Sequence, residues 1–221
     1  MKAFVLAAGR GERMRPLTDT TPKPLLLAGG EPLIAHTIRR LANAGVVDLV
    51  INTSHLWDQV EACLGGGESF GVNIQYSREE VALETAGGVV KALPLLGDTP
   101  FILVNGDIWT DFDFAALTRR SLGDSLAHLV MVSNPEHHPQ GDFYLDHGKL
   151  VQEDGELLTY SGIGLYSPNM FSGLPAGKRP LAPILRQAIS NSQLTGEKFN
   201  GTWVDVGTPG RLSELNRLLE N

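Results

Sequence analysis

A single cysteine, Cys63, stands in the 221-residue sequence, so no internal disulfide can brace the chain and its stability must come from an apolar core. One thiol fits a reducing compartment, and its setting in a helical pattern reads as a buried helix thiol. Long hydrophobic runs are missing too. The stretch Ala3 to Ala8 is too short for a signal-peptide core and runs straight into Gly9, Arg10, Arg13 and Arg15. A cytoplasmic protein without a membrane partner is expected. Positive charge is also scarce: 18 Lys and Arg face 25 Asp and Glu, and the formal net charge is −7. That balance excludes a general nucleic-acid or membrane-surface binder, which would need a basic face to neutralise phosphates. Repeats, low-complexity tracts and linkers are absent, so residues 1–221 read as one domain.

The apolar residues that are present, 42% of the chain, fall in short runs alternating with helical patterns. This is the sequence form of strand and crossover-helix units, and it predicts an α/β fold with a mainly parallel, mixed sheet flanked by helices. Strands are expected at Ala3 to Ala7, Val46 to Asn52, Asn73 to Tyr76, Phe101 to Val104 and Leu126 to Val132. Helices are expected over 32–44, where Leu33, Ile34, Ile38 and Leu41 keep helical spacing, and over 56–64, 85–96 and 112–121. After Asp142 the pattern changes. Phe143 to Leu145 and Lys149 to Val151 flank Asp146, His147 and Gly148, a hairpin signal that predicts a small antiparallel lobe. Tyr160 to Tyr166 and Trp203 to Val206 read as strands, and Ala182 to Ser190 and Leu212 to Leu219 as helices.

The scarce cations gather at one end: Lys2, Arg10, Arg13, Arg15 and Lys23 face only Glu12 and Asp19 within the first 24 residues. A phosphate site must therefore be local. The first strand empties into Gly9-Arg10-Gly11-Glu12-Arg13-Met14-Arg15-Pro16, a turn whose backbone amides can face an anion. It is neither of the familiar phosphate loops. Met14 stands where a dinucleotide fingerprint needs a third glycine, and no Gly-Lys-Ser/Thr follows. Pro16, Pro22 and Pro24 resist helix and are expected to hold residues 16–24 extended, with Lys23 fixed between two prolines.

Leu6 to Gly9, the glycine-arginine turn and Pro22-Lys23-Pro24 together resemble the opening signature of the sugar-1-phosphate nucleotidyltransferases. The resemblance continues in order through Leu83 to Gly87, Val104-Asn105-Gly106-Asp107, Ser161-Gly162-Ile163 and Trp203 to Thr208. It implies a Rossmann-like nucleotidyltransferase fold with a small antiparallel sugar-binding lobe. It also implies that Leu6, Ala7, Ala8, Gly9, Ala82, Thr85, Gly87 and Asn105 frame the nucleotide, with Gly11, Arg13 and Lys23 on its phosphates. Arg13 and Lys23 are the candidate catalytic residues. Physical logic agrees, because a sugar phosphate must attack another phosphate, and a guanidinium fork and a point charge can cancel that repulsion. Within the family the chain is most similar to the uridylyltransferases that act on N-acetylmuramate α-1-phosphate. The implied substrates are UTP and that sugar phosphate, with a glucose- or mannose-1-phosphate nucleotidyltransferase or a non-catalytic nucleotide-sugar sensor as the alternatives.

Asp107 and Asp205 each follow an apolar run and adjoin glycine, so parallel strands are expected to bring them to one sheet edge as ligands of Mg²⁺. Asp111 and Asp113 read as turn or helix caps. At the sugar end, Gly141 and Gly162 are expected to allow close approach and Glu153 to accept a hydroxyl. Many relatives carry Glu-Lys-Pro after the hairpin, whereas residues 151–156 here hold no lysine. His137 and His138 lack the spacing of a tetrahedral metal site and read as a solvated loop. Tyr76, Trp57 and Trp203 read as packing aromatics.

Overall fold

A computed structural model describes residues 1–220. Its strands in chain order are β1 (Lys2–Leu6), β2 (Leu27–Ala28), β3 (Glu31–Pro32), β4 (Asp48–Thr53), β5 (Asn73–Arg78), β6 (Phe101–Asn105), β7 (Ile108–Thr110), β8 (Ala127–Val132), β9 (Phe143–Asp146), β10 (Lys149–Val151), β11 (Glu156–Tyr166), β12 (Leu194–Lys198) and β13 (Trp203–Asp205). The helices are α1 (Leu33–Asn43), α2 (Trp57–Leu64), α3 (Glu84–Leu96), α4 (Ala115–Thr118), α5 (Ala182–Ser190) and α6 (Pro209–Leu219). None is long and apolar enough to cross a membrane.

Nine strands form one sheet in the order β5-β4-β1-β6-β11-β8-β12-β10-β9. β5, β4, β1 and β6 run parallel, as their apolar runs predict. β11 then enters antiparallel between β6 and β8, and the β9–β10 hairpin closes the far edge. The expected α/β architecture with its antiparallel lobe is the one adopted. Side-chain alternation explains the continuous apolar runs, since both sheet faces are covered. Phe4, Phe101 and Leu103 face α3 and α5, while Ala3, Val5, Ile102 and Val104 face α1 and α2. A third, smaller core of Met14, Leu26, Ala28, Leu33, Val206, Leu212 and Leu215 lies under the N-terminal loop. It ties that loop to α6.

Several expectations need correction. Residues 16–24 are not extended but form 3₁₀ turns at Leu17–Asp19 and Lys23–Leu25, after another at Glu12–Met14. Proline's fixed φ suits the first positions of such a turn as well as it suits extended chain. The helix expected over 112–121 shrinks to Ala115–Thr118, because Phe112 packs edge-on against Phe114 and Phe199 instead of continuing a helix. Asp113 caps this turn through the Ala115 amide, and Asp111 accepts from Thr202 N–H. β13 is not a parallel strand of the main sheet. It pairs antiparallel with β7 in a separate two-stranded ribbon. Cys63 is exposed, since the buried stripe of α2 is Val60 and Leu64.

β12 had no apolar signature, and it pairs parallel with β8. Buried His128 contacts Thr195 Oγ1 at 2.9 Å through Nδ1, and its Nε2 lies 3.5 Å from Glu197 Oε1. The facing His128 ring holds the Glu197 carboxyl below its ordinary value, with Arg120 assisting, against the opposing effect of burial. A carboxyl depressed in the folded state contributes stability above its unfolded pKa and loses it as pH falls through the folded value. Thermal melts taken from pH 6 down to pH 3 should therefore show Glu197→Gln losing less stability than the wild type. Parallel acid slopes would refute this role.

Candidate active site

The carboxyl ends of β1, β4 and β6 open onto a cleft of about 330 Å³, where ligands collect in open α/β sheets. Its floor is locked by a buried polar network. Asn52 Oδ1 accepts the Ala7 N–H at 2.7 Å, while Asn52 Nδ2 donates to Glu79 Oε1 at 2.8 Å. Glu79 Oε2 in turn accepts the Leu83 N–H at 2.8 Å. Three loops are thereby held in one geometry. Gly87 and Gly88, the fourth and fifth residues of α3, lack side chains for a steric reason: a Cβ would meet Gly177 O at the first and stand 2.8 Å from Glu79 Oε1 at the second.

Of the residues expected around the nucleotide, Leu6, Ala7, Ala8, Gly9, Lys23, Ala82, Thr85 and Asn105 line this cleft. Gly11, Arg13 and Gly87 do not. Gly11, at φ 64°, packs against Thr18 and Lys23, and its carbonyl accepts the Thr18 hydroxyl. Arg13 borders an adjoining hollow of about 330 Å³ together with Asp107, His137, Tyr160 and Asp205. A further hollow of about 400 Å³ extends past Thr85 to Asp142, Phe143, Tyr160 and Leu185. Asn105 borders all three spaces.

The β7–β13 ribbon brings the two aspartates together, antiparallel rather than parallel as expected. Asp205 lies opposite Ile108, and Val206 N–H donates to Asp107 O at 2.9 Å. Each carboxylate carries a cation. Lys23, only 8% exposed, places Nζ 2.5 Å from Asp107 Oδ2. Arg211 Nη1 lies 2.7 Å from both Asp205 oxygens, and His137 Nε2 is 3.0 Å from Oδ1. Over Gly207 the guanidinium groups of Arg13 and Arg211 converge, with Nη2 atoms 3.4 Å and 2.0 Å from the point a Cβ would occupy. Two adjacent hard-oxygen donors suit Mg²⁺. No cluster of three or more His, Cys, Asp or Glu stands ready for a metal among the described residues, so such an ion would complete its shell from phosphate and water.

The sugar-end residues sit differently from one another. Gly162, at φ 79° in the irregular stretch of β11, would drive a Cβ to 2.4 Å from Asn105 Nδ2. It reaches the cleft through Asn105. Gly141, at φ 59°, packs against Asn134 and Leu158 O, and Glu153 is exposed in the turn after β10, bordering none of the three spaces. His137 is not simply solvated but joins Asp205. Trp203 packs as expected, donating Nε1–H to Ser161 O, and also walls the hollow beside Arg13. Trp57 stacks under Arg78 away from the cleft, and burial, then Glu61, pushes the Tyr76 phenol up to about 12. Asn52, Glu79, Asp142, Tyr160 and Arg211 were missed. The available signal was a polar residue ending or directly following an apolar strand, as at Asn52 and Glu79.

Residues 2–148 match the model of the nucleotidyl transferase family. The chain belongs to that family. This nucleotidyl transferase is 52% identical to an N-acetylmuramate alpha-1-phosphate uridylyltransferase of Neisseria meningitidis, over 99% of this chain and 98% of the relative. It is 36% identical to a protein of the same name from Caulobacter vibrioides, across 99% and 97%. A mannose-1-phosphate guanyltransferase of Aspergillus fumigatus is 33% identical across 95% of this chain but 61% of its own length. A Bacillus anthracis structure described as a glucose-1-phosphate thymidylyltransferase superposes with TM-score 0.89 at 26% identity, covering 100% and 96%. Gly162→Ala in this nucleotidyl transferase should cost roughly 1–2 kcal/mol for the left-handed backbone and displace Asn105. A wild-type melting temperature would contradict that.

Proposed function

We propose that the chain acts as one domain to transfer a uridylyl group from UTP to N-acetylmuramate α-1-phosphate, releasing pyrophosphate as a cytoplasmic step in peptidoglycan recycling. The observation that carries this reading is the 52% identity, over nearly the whole of both chains, to a relative of that name. The cleft chemistry supports it. An oxygen of the sugar phosphate attacks the α-phosphorus of UTP; that P–O bond forms as the bond to the β-phosphate bridge breaks, and pyrophosphate leaves with the electron pair. No protein nucleophile and no net proton transfer is needed.

The obstacle is anion meeting anion. Lys23 and Arg13 stand where phosphates entering from either side of Asp107 would meet them, and preorganised charge is worth most at the point where charge develops. Asn105 and the loop after β1 orient the two substrates in line. Mg²⁺, held by Asp107 and Asp205, would neutralise phosphate oxygens. The Tyr160 phenol, hydrogen-bonded to Tyr166 at 2.8 Å, is raised well above its ordinary value by burial, so it stays protonated. Its hydroxyl is engaged with the buried Tyr166, so Tyr160 offers the sugar side no base.

A mannose-1-phosphate guanylyltransferase is the second reading, favoured only by the 33% relatedness. Purified protein supplied with Mg²⁺, each nucleoside triphosphate and a panel of sugar 1-phosphates should release pyrophosphate fastest with UTP and N-acetylmuramate α-1-phosphate. Faster release with GTP and mannose 1-phosphate would overturn the assignment. In the same assay, Lys23→Ala should lower kcat on the order of 10² to 10³, the cost of one preorganised charge contact, without comparable loss of thermal stability. Asp107→Asn and Asp205→Asn should raise the Mg²⁺ requirement. Unchanged magnesium curves in both would remove the metal from the mechanism.

A further inference from the structure

Phosphoryl transfer leaves one face of α5 without a task. Ala182 and Leu185 wall the hollow beyond Thr85, and Arg186 and Ile189 wall another of about 250 Å³ that shares Asp142 and Phe143 with it. Positions 182, 185, 186 and 189 lie on one side of a helix, so the two hollows adjoin along a common wall. That wall is apolar apart from a single cation. The Arg186 guanidinium lies 6.0 Å from the centroid of the Phe143 ring and has no carboxylate partner among the described residues.

The neighbouring charges are already engaged. Lys178, on the nucleotide side, pairs with Glu84 at 3.2 Å. Asp142 accepts the Tyr160 N–H at 2.9 Å and meets His138 Nε2 at 3.1 Å. A guanidinium resting on an aromatic face keeps its planar donors free at the edge and is weakly hydrated, which suits it to a carboxylate arriving along an apolar wall.

This inference rests on the proposed acidic-sugar reading and deepens it. We propose that Arg186 is the specificity residue of the sugar site, binding a carboxylate carried as a substituent on the hexosamine 1-phosphate. The sugar ring then lies against Phe143 and Leu185 with its phosphate toward Asn105 and its acidic arm toward α5. Neutral sugar phosphates fill the same space but leave Arg186 unused.

Steady-state kinetics with N-acetylmuramate 1-phosphate and with N-acetylglucosamine 1-phosphate, which lacks the acidic arm, separates the possibilities. Arg186→Gln should cut kcat/KM for the acidic sugar on the order of 10- to 100-fold, the scale of a charge-assisted hydrogen bond, mainly through KM. The neutral sugar should be unaffected, and Arg186→Lys should restore part of the loss. Arg186 is exposed, so the variants should melt with the wild type. Equal losses on both sugars, or a wild-type preference surviving in Arg186→Gln, would overturn the role of Arg186 alone. A wild-type enzyme that does not prefer the acidic sugar would overturn the acidic-sugar reading and this inference together.

Discussion

Two carboxylates held side by side in a half-buried cleft either share a proton or need positive charge held with them. Asp107 and Asp205 are brought to that position by the β7–β13 ribbon, whose pairing sets Asp205 opposite Ile108 and ties Val206 N–H to the Asp107 carbonyl. Lys23 answers one and Arg211 the other. Both cations come from segments outside the ribbon, so the N-terminal loop and α6 must be fixed for the charges to balance. Much of the remaining architecture does that fixing.

Met14 and Leu26 sink the loop into the small core shared with Leu212 and Leu215 of α6, and Gly29 N–H is tied to Asn216 Oδ1 at 2.8 Å. The Asn52–Glu79 network freezes the opposite wall. β11 joins the halves: its second part pairs with β6 beneath the nucleotide side, and its first part pairs with β9 of the antiparallel lobe. The irregularity between Tyr160 and Ile163 falls where these halves meet, and there Gly162 lets Asn105 reach all three spaces. A rigid frame of this kind suits a reaction whose main demands are alignment and charge.

The strands around the cleft were legible because burial on both faces writes itself as an apolar run, and the cluster of cations near residue 13 marked where a phosphate site was expected. Lys23 and Asp107 were readable from their motifs. What pairs them was not, since a contact across 84 positions leaves no local pattern. β12 escaped notice because Leu-Thr-Gly-Glu-Lys has no alternation, its place being set by β8 and by His128 facing Glu197. The ribbon was mistaken for a parallel strand because a three-residue apolar segment carries no information about direction. Arg186 belongs to an ordinary amphipathic helix and becomes conspicuous only when Phe143 is brought beneath it.

Lys23 and Arg211 are paired with Asp107 and Asp205, the carboxylates proposed to hold a divalent ion, so each cation would compete with that ion for its aspartate. Mn²⁺ binding followed by electron paramagnetic resonance, without nucleotide, addresses this directly. Lys23→Met and Arg211→Met should each bind Mn²⁺ more tightly than the wild type, because each removes a competing positive charge from an aspartate. Weaker binding in both variants would mean that these cations build the metal site instead of standing in for the ion, and would contradict the assignment.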